Sequence, residues 1–163
     1  MKKYQTIEFS VSENIASIRL NRPEVRNAFN DTMIEEFTEI LDDLASNKDD
    51  IRGVVISGNG KVFSAGADLN WMKSMINYTH DENVQDSKQL YQLFEKIYNL
   101  QIPVITLVHG ASIGGANGIV AASDIVLAEN ETQFRFSEVK IGLVPATIAP
   151  FVAHRTGNHA AKY

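Results

Sequence analysis

The sequence contains no cysteine, which excludes a disulfide framework, a thiolate metal site and a cysteine nucleophile. Its four histidines, His80, His109, His154 and His159, are scattered. The last two are five apart, a spacing that does not stack side chains on one helix face, so no metal site is expected. The motifs G-x-S-x-G, H-E-x-x-H, G-x-x-x-x-G-K-[ST] and a clean G-x-G-x-x-G are all missing, and with them the commonest hydrolase, metalloprotease and nucleotide-binding signatures. Cations are outnumbered, 15 Lys and Arg against 20 Asp and Glu for a net charge of −5. That balance argues against general nucleic-acid binding, which depends on neutralising phosphates. It leaves room for one small polyanion held by a few local cations. Repeats, low-complexity tracts and charge blocks are lacking too.

Only one long stretch lacks charge. From Ile102 to Ser123 the sole ionisable side chain is His109, and the length would span a bilayer. Pro103 and four glycines divide it into a β-branched run, a glycine-rich turn and a small-residue helix, so a buried strand–loop–helix is expected and no membrane association. After Met1-Lys2-Lys3 no apolar run follows, which argues against a signal peptide. Glu8 and Glu13 argue against a transit peptide, and the expected location is cytoplasmic.

What is present suits a globular domain: 163 residues, 44% of them hydrophobic, enough to bury a substantial core. Thr6–Val11 and Ile15–Leu20 read as strands joined by the polar turn Ser12-Glu13-Asn14. Pro23 closes the second strand. A helix is expected from Asp31 to Leu44, with Thr32 and Glu35 as a capping box and Met33, Phe37, Ile40, Leu41 and Leu44 as its apolar stripe. A strand follows at Gly53–Ser57 and an extended run at Val62–Ser64, then helices at Leu69–Ile76 and Val84–Leu100. The second of these turns Leu90, Leu93, Phe94, Ile97 and Leu100 inward. Beyond it come strand Val104–Val108, loop Gly110–Gly115, helix Ala116–Ala122, strand Ile125–Ala128, an extended piece at Gln133–Phe136 and a helix near Ala149. This alternation indicates an α/β fold.

Three features could carry chemistry. Ala65-Gly66-Ala67-Asp68 and Gly110-Ala111-Ser112-Ile113-Gly114-Gly115 each put unobstructed backbone N–H groups before a helix N-terminus. Two such donors converging on one point would stabilise a carbonyl oxygen that gains charge. Small residues serve close helix–strand packing equally well, and spacing alone does not choose. The third is Glu138, in Phe134-Arg135-Phe136-Ser137-Glu138-Val139-Lys140. A carboxylate set among apolar residues suits proton transfer at neutral pH; one paired with Lys140 or Arg135 would be structural.

In order along the chain, Leu20-Asn21-Arg22-Pro23, Arg26-Asn27-Ala28, Phe63-Ser64-Ala65-Gly66-Ala67-Asp68-Leu69, Pro103-Val104-Ile105, Gly114-Gly115, Ala122-Ser123-Asp124-Ile125 and Phe136-Ser137-Glu138…Gly142-Leu143-Val144-Pro145 resemble the crotonase (enoyl-CoA hydratase/isomerase) superfamily. Leu69-Asn70-Trp71-Met72-Lys73 and Gly118 look most like its methylglutaconyl-CoA hydratase-type branch. The resemblance implies a ClpP/crotonase core of repeated ββα units. It further implies an acyl-CoA thioester, with CoA entering as part of the substrate and no separate cofactor, and an enolate oxygen held by the N–H groups of Ala67 and Gly115. Glu138 becomes the catalytic acid/base. Ala65, Ala67, Asp68, Leu69 and Gly114 would line the bound thioester and CoA arm, with Arg26, Ala28 and Lys61 near the adenine and phosphates and Asp68 orienting its turn. Trp71, Met72, Met75 and Tyr78 would shape the acyl pocket.

Two departures accompany it. Hydratases of the family place a second glutamate at the position of Gly118, so one carboxylate would serve both proton transfers of a hydration, or the reaction would be a double-bond isomerisation. Family members also continue past the position of Tyr163 with helices that close the site and build trimers or hexamers. Residues 1–163 therefore read as the N-terminal core domain without that C-terminal part, ending inside a helix and leaving Phe151, Val152 and the helix end near Leu100 exposed. The competing readings are a hydratase of fatty-acid or leucine breakdown, an isomerase, a non-catalytic acyl-CoA-binding homologue, and a nucleotide-binding domain resting only on Val104–Ala122.

Overall fold

Two strands open the chain because Glu13 and Asn14 both take positive φ, 51° and 63°. That two-residue turn matches the right-handed twist of a hairpin. It pairs β1 (Ile7–Ser12) antiparallel with β2 (Ile15–Leu20), Ile7 opposite Leu20. The computed structural model describes residues 2–138 and 142–162. Every later strand of the main sheet runs parallel to its neighbour, and each parallel step needs a crossover. Helix α1 (Asp31–Ser46) leads to β3 (Gly53–Gly58); α2 (Leu69–Ser74) and α3 (His80–Asn99) lead to β4 (Val104–Val108). A short strand β5 (Ala111–Ile113) and helix α4 (Ala116–Ala122) lead to β6 (Ile125–Ala128), giving the order β1-β2-β3-β4-β6. Strand β7 (Gln133–Arg135) pairs with β5 in a second, two-stranded parallel sheet, and α5 (Ala149–Thr156) follows.

One face of the main sheet holds the core. Ala16, Ile18, Leu20, Val54, Ile56 and Val104 are buried there together with Met33, Phe37, Ile40, Leu41 and Leu44 of α1 and Leu93, Phe94 and Ile97 of α3. Burying each large apolar side chain contributes about 1.5–3 kcal/mol. The opposite face leaves Ile15, Leu107, Ile125 and Leu127 exposed.

Several local expectations are corrected. The cap of α1 is Asn30, whose side chain accepts from the Met33 N–H at 3.0 Å, so Thr32 and Glu35 form no capping box. That motif occurs at Thr79 and Glu82 instead, and α3 accordingly begins a turn before Val84. The run Val62–Ser64 pairs through a single bridge from Ser64 to Ser112, and the expected loop at Gly110–Gly115 contains β5. Helix α5 ends at Thr156, with Gly157 at φ 81°, and a 3-10 turn follows at Ala160–Lys162. Phe151 is buried, its ring 5.5–6.1 Å from those of Tyr91, Phe94 and Tyr98. The chain thus covers that residue itself.

Candidate active site

The site begins with a buried asparagine. Asn27, at φ 53°, donates through Nδ2 to the carbonyls of Asn59 (2.7 Å), Val62 (3.1 Å) and Phe63 (3.0 Å) and accepts from the Arg22 N–H through Oδ1 (2.9 Å). Asparagine tolerates left-handed backbone better than most residues, and here it ties the turn after β2 to the segment after β3. That segment is then stitched along its length. Ser64 Oγ donates to the Asn27 carbonyl at 2.7 Å, Ala65 N–H to Arg26 O at 2.9 Å, Phe29 N–H to Gly66 O at 2.7 Å and Asp68 N–H to Phe29 O at 2.8 Å. On its other side Ser64 exchanges backbone bonds with Ala111 and Ile113, both at 3.1 Å, and Gly114 N–H donates to Arg135 O at 2.8 Å. Four segments, 27–29, 64–68, 111–114 and 133–135, lie side by side.

This register brings the two small-residue loops together. Ser64 faces Ser112 and Gly66 lies against Ile113 and Gly114, which carries the loop that ends at Ala67 up to the loop that ends at Gly115. Gly66 and Gly114 have φ values of 87° and 54°. A Cβ on Gly66 would sit 2.7 Å from Ile113 O, so both backbone conformation and close approach require glycine there. The bridge between Phe29 and Ala67 uses Gly66 O and Asp68 N–H, which turns the Ala67 N–H away from Phe29. Gly115 precedes α4, where the first amides of a helix have no intrahelical acceptor. Among the described residues no backbone carbonyl accepts from either N–H. Since α2 and α4 span only six and seven residues, these donors act as individual amides more than as ends of a long helix dipole.

Glu138 reaches the same place from beyond β7. Its Oε1 lies 3.0 Å from where a Cβ on Gly114 would be, and its Oε2 is buried with no hydrogen-bond partner among the described residues. The described ion pairs do not include Glu138 or Arg135; Lys140, with Val139 and Ile141, lies outside the described residues. Asn117 donates to Arg135 O at 2.9 Å while its Oδ1 is also buried and unpartnered. The second-carboxylate position is filled differently. A Cβ on Gly118 would fall 2.5–2.7 Å from three ring carbons of the fully buried Phe94, so an aromatic ring occupies the space a side chain at 118 would need.

Asp68 is committed elsewhere, accepting from the Asn70 N–H as the cap of α2 and from Arg22 Nη2, both at 2.9 Å. Burial is the largest single influence on its carboxyl and pushes it up, but the Asn70 N–H and the Arg22 guanidinium together outweigh this and hold it below the usual range. Ala28 is buried and Ala65 half-buried, while Arg26, Lys61 and Leu69 are exposed around the 64–68 segment. Trp71 is buried with its Nε1 unpartnered; Met72, Met75 and Tyr78 are half-buried. The structure therefore brings Ala67, Gly114, Gly115 and Glu138 together and sets Asp68 apart as a positioning group. Sequence reasoning missed Asn27 and Arg22 as the organisers, Phe94 as the occupant of the Gly118 space, and Asp86. This last carboxylate stands on the apolar stripe of α3 four residues before Leu90, and that spacing was its available signal. No group of three His, Asp or Glu among the described residues could hold a metal, and no described helix is long and apolar enough to cross a membrane.

The enoyl-CoA hydratase/isomerase family model matches residues 10–163. The chain belongs to the enoyl-CoA hydratase/isomerase family. It is 35% identical over 149 residues to a Thermus thermophilus homologue named for enoyl-CoA hydratase, covering 91% of this chain and 58% of that protein. It is also 35% identical to the mitochondrial Delta(3,5)-Delta(2,4)-dienoyl-CoA isomerase of Rattus norvegicus, covering 86% of this chain and 45% of that one. The crystal structure of an enoyl-CoA hydratase from Shewanella pealeana superposes with a TM-score of 0.95 at 36% identity, over 98% of this chain and 60% of that one. The α/β architecture is thus the crotonase fold of this enoyl-CoA hydratase/isomerase family, and the chain spans 45% to 60% of the length of these three family members.

Proposed function

We propose that this domain carries the active site of an enoyl-CoA hydratase-like lyase, adding water to, or removing it from, an acyl-CoA thioester. The observation that carries this reading is the buried, unpartnered Oε2 of Glu138 beside a pair of amides without backbone acceptors. The thioester oxygen would accept from the Ala67 and Gly115 N–H groups. Attack at the β-carbon then builds negative charge on that oxygen, and fixed donors favour the charged state over the neutral one. Glu138 would give its proton to the α-carbon, or take one from it in the reverse direction. The CoA arm would run along the Ala65 carbonyl and Ala67–Leu69, with Arg26, Ala28 and Lys61 near the adenine and phosphates. No cofactor beyond the CoA of the substrate is called on.

A second reading, double-bond isomerisation, is favoured by Phe94 standing where a side chain at 118 would go, because a single base can move a proton between two carbons. The dienoyl-CoA isomerase similarity agrees with it. Within the hydratase reading, Leu69–Lys73 and Gly118 suggest the methylglutaconyl-CoA branch and a role in leucine or fatty-acid breakdown. A cytoplasmic trimer or hexamer is the proposed assembly.

The test is a UV assay of the full-length protein with crotonyl-CoA and 3-methylglutaconyl-CoA, following loss of the conjugated thioester band. Glu138→Gln should lower kcat by about 10²-fold or more while acyl-CoA binding holds within about threefold. A wild-type protein that binds the thioester yet neither hydrates nor isomerises it would leave only the acyl-CoA-binding reading.

A further inference from the structure

Hydration needs two proton transfers, and position 118 offers no carboxylate. The structure offers another. Asp86, Leu90 and Phe94 recur every four residues on α3 and so share one face. Phe94 abuts Gly118, and Leu90 Cδ2 lies 3.9 Å from where a Cβ on Gly115 would be. This stripe runs along α4 from Gly118 to Gly115, and Asp86 extends it one turn past the Gly115 amide. Phe29 closes the other side, its Cδ2 also 3.9 Å from that point, and Asp31 begins α1 two residues on. Asp86 is 9% exposed, although charged residues are almost never buried without a partner.

Burial first, and the charge of Asp31 second, push its carboxyl up to about 6. No cation or hydrogen-bond donor among the described residues counters them. Helix α4, packed against the same face, presents only neutral residues, Ala116 to Ala122. Asp86, a residue nine-tenths buried one helix turn beyond the Leu90 that touches Gly115, has no hydrogen bond or ion pair among the described residues and is positioned for a ligand.

We propose that Asp86 is the second acid–base group of this site, taking the proton from the water that adds to the β-carbon while Glu138 serves the α-carbon. The proposal rests on the acyl-CoA reading above. Glu138 lies against the Gly114–Gly115 peptide that would hold the carbonyl oxygen, and so beside the α-carbon. Asp86 stands about one helix turn, ~5.4 Å, further along, which leaves room for a water between its carboxylate and the β-carbon. In the addition an O–H bond of water breaks and its proton goes to the Asp86 carboxylate as the C–O bond forms at the β-carbon. The π electrons move toward the thioester oxygen between the two amides, and Glu138 in its acid form then protonates the α-carbon. The proton left on Asp86 returns to Glu138 through solvent, so the net change is one water added.

The experiment compares wild type, Asp86→Asn, Asp86→Glu and Glu138→Gln in the full-length protein, using crotonyl-CoA hydration, α-proton exchange of butyryl-CoA in D2O by NMR, and crotonyl-CoA binding. Asp86→Asn should lose about 10²-fold or more in hydration kcat but keep α-proton exchange and binding within about threefold, Asp86→Glu should restore part of the hydration, and Glu138→Gln should lose both reactions. Hydration within about threefold of wild type in Asp86→Asn overturns the role of Asp86 while the acyl-CoA reading stands. So does an equal fall in hydration, exchange and binding, which marks a structural residue. A wild-type protein that binds crotonyl-CoA but runs neither reaction overturns the catalytic reading and this proposal with it, and one that does not bind crotonyl-CoA overturns the acyl-CoA reading altogether.

Discussion

Replacing Gly118 with alanine should destabilise the protein through one identifiable collision. The new methyl would arrive 2.5–2.7 Å from the Cζ and both Cε atoms of Phe94. That ring is fully buried and packs edge-on against Phe151 at 6.1 Å, so it has nowhere to retreat. Overpacking of this kind costs about 1–3 kcal/mol, and contact with three ring atoms places it at the upper end, about 3 kcal/mol. Within a helix the same change gains about 1 kcal/mol of propensity, which leaves a net loss of about 2 kcal/mol. Phe94→Leu removes the three ring atoms concerned, so in that background Gly118→Ala should be neutral or stabilising. Urea midpoints for the wild type, both single variants and the double variant form a cycle whose coupling energy should reach about 2–3 kcal/mol. Effects that add to within about 0.5 kcal/mol would refute the collision, and with it the physical reason for glycine at the place where a second carboxylate is expected.

Asp86 should depress stability near neutral pH. Its carboxyl sits at about 6 in the folded protein against an ordinary 3.8, so the folded state resists its ionisation. The penalty is absent below about pH 4, grows between about pH 4 and 6, and is complete above, reaching at most about 3 kcal/mol. Asp86→Asn should therefore stabilise the fold by about 1–3 kcal/mol at pH 7.5 and by little at pH 4, as read from urea midpoints; destabilisation at both pH values would contradict the assignment. Asn27→Ala should cost about 2–3 kcal/mol, because the buried carbonyl of Phe63 and the carbonyls of Asn59 and Val62 lose their shared donor. The same variant should also lower acyl-CoA turnover by loosening the 64–68 segment. Thermal melts and crotonyl-CoA kinetics on one preparation would separate these two effects.

Much of the site could be read without coordinates. Helical and alternating periodicity placed the stripe of α1, the inward face of α3 and most strands, since each follows from which neighbours along the chain are apolar. The glycine and alanine loops announced open amides, and Glu138 stood out as a carboxylate among aromatic and apolar neighbours. Two errors arose where a residue's partner is distant in sequence: β5 emerged in an expected loop only because β7 runs beside it, and Phe151 found cover on α3. The cap of α1 was instead a contest within one turn, in which Asn30 rather than Thr32 accepts from the Met33 N–H.

The amino-acid sequence by itself determined the alternation of strands and helices, the turns at Glu13-Asn14 and Gly66, and which side chains are able to carry chemistry. These depend on local sterics and on periodicity, which a chain displays in any register. Tertiary structure alone decided that Ala67 lies beside Gly115, that Glu138 closes over Gly114, that Phe94 fills the space at Gly118, and that Asp86 is carried to the same end of α4. Each of these joins segments 24 to 48 residues apart, set by parallel pairing and by helix packing, and no local pattern encodes it.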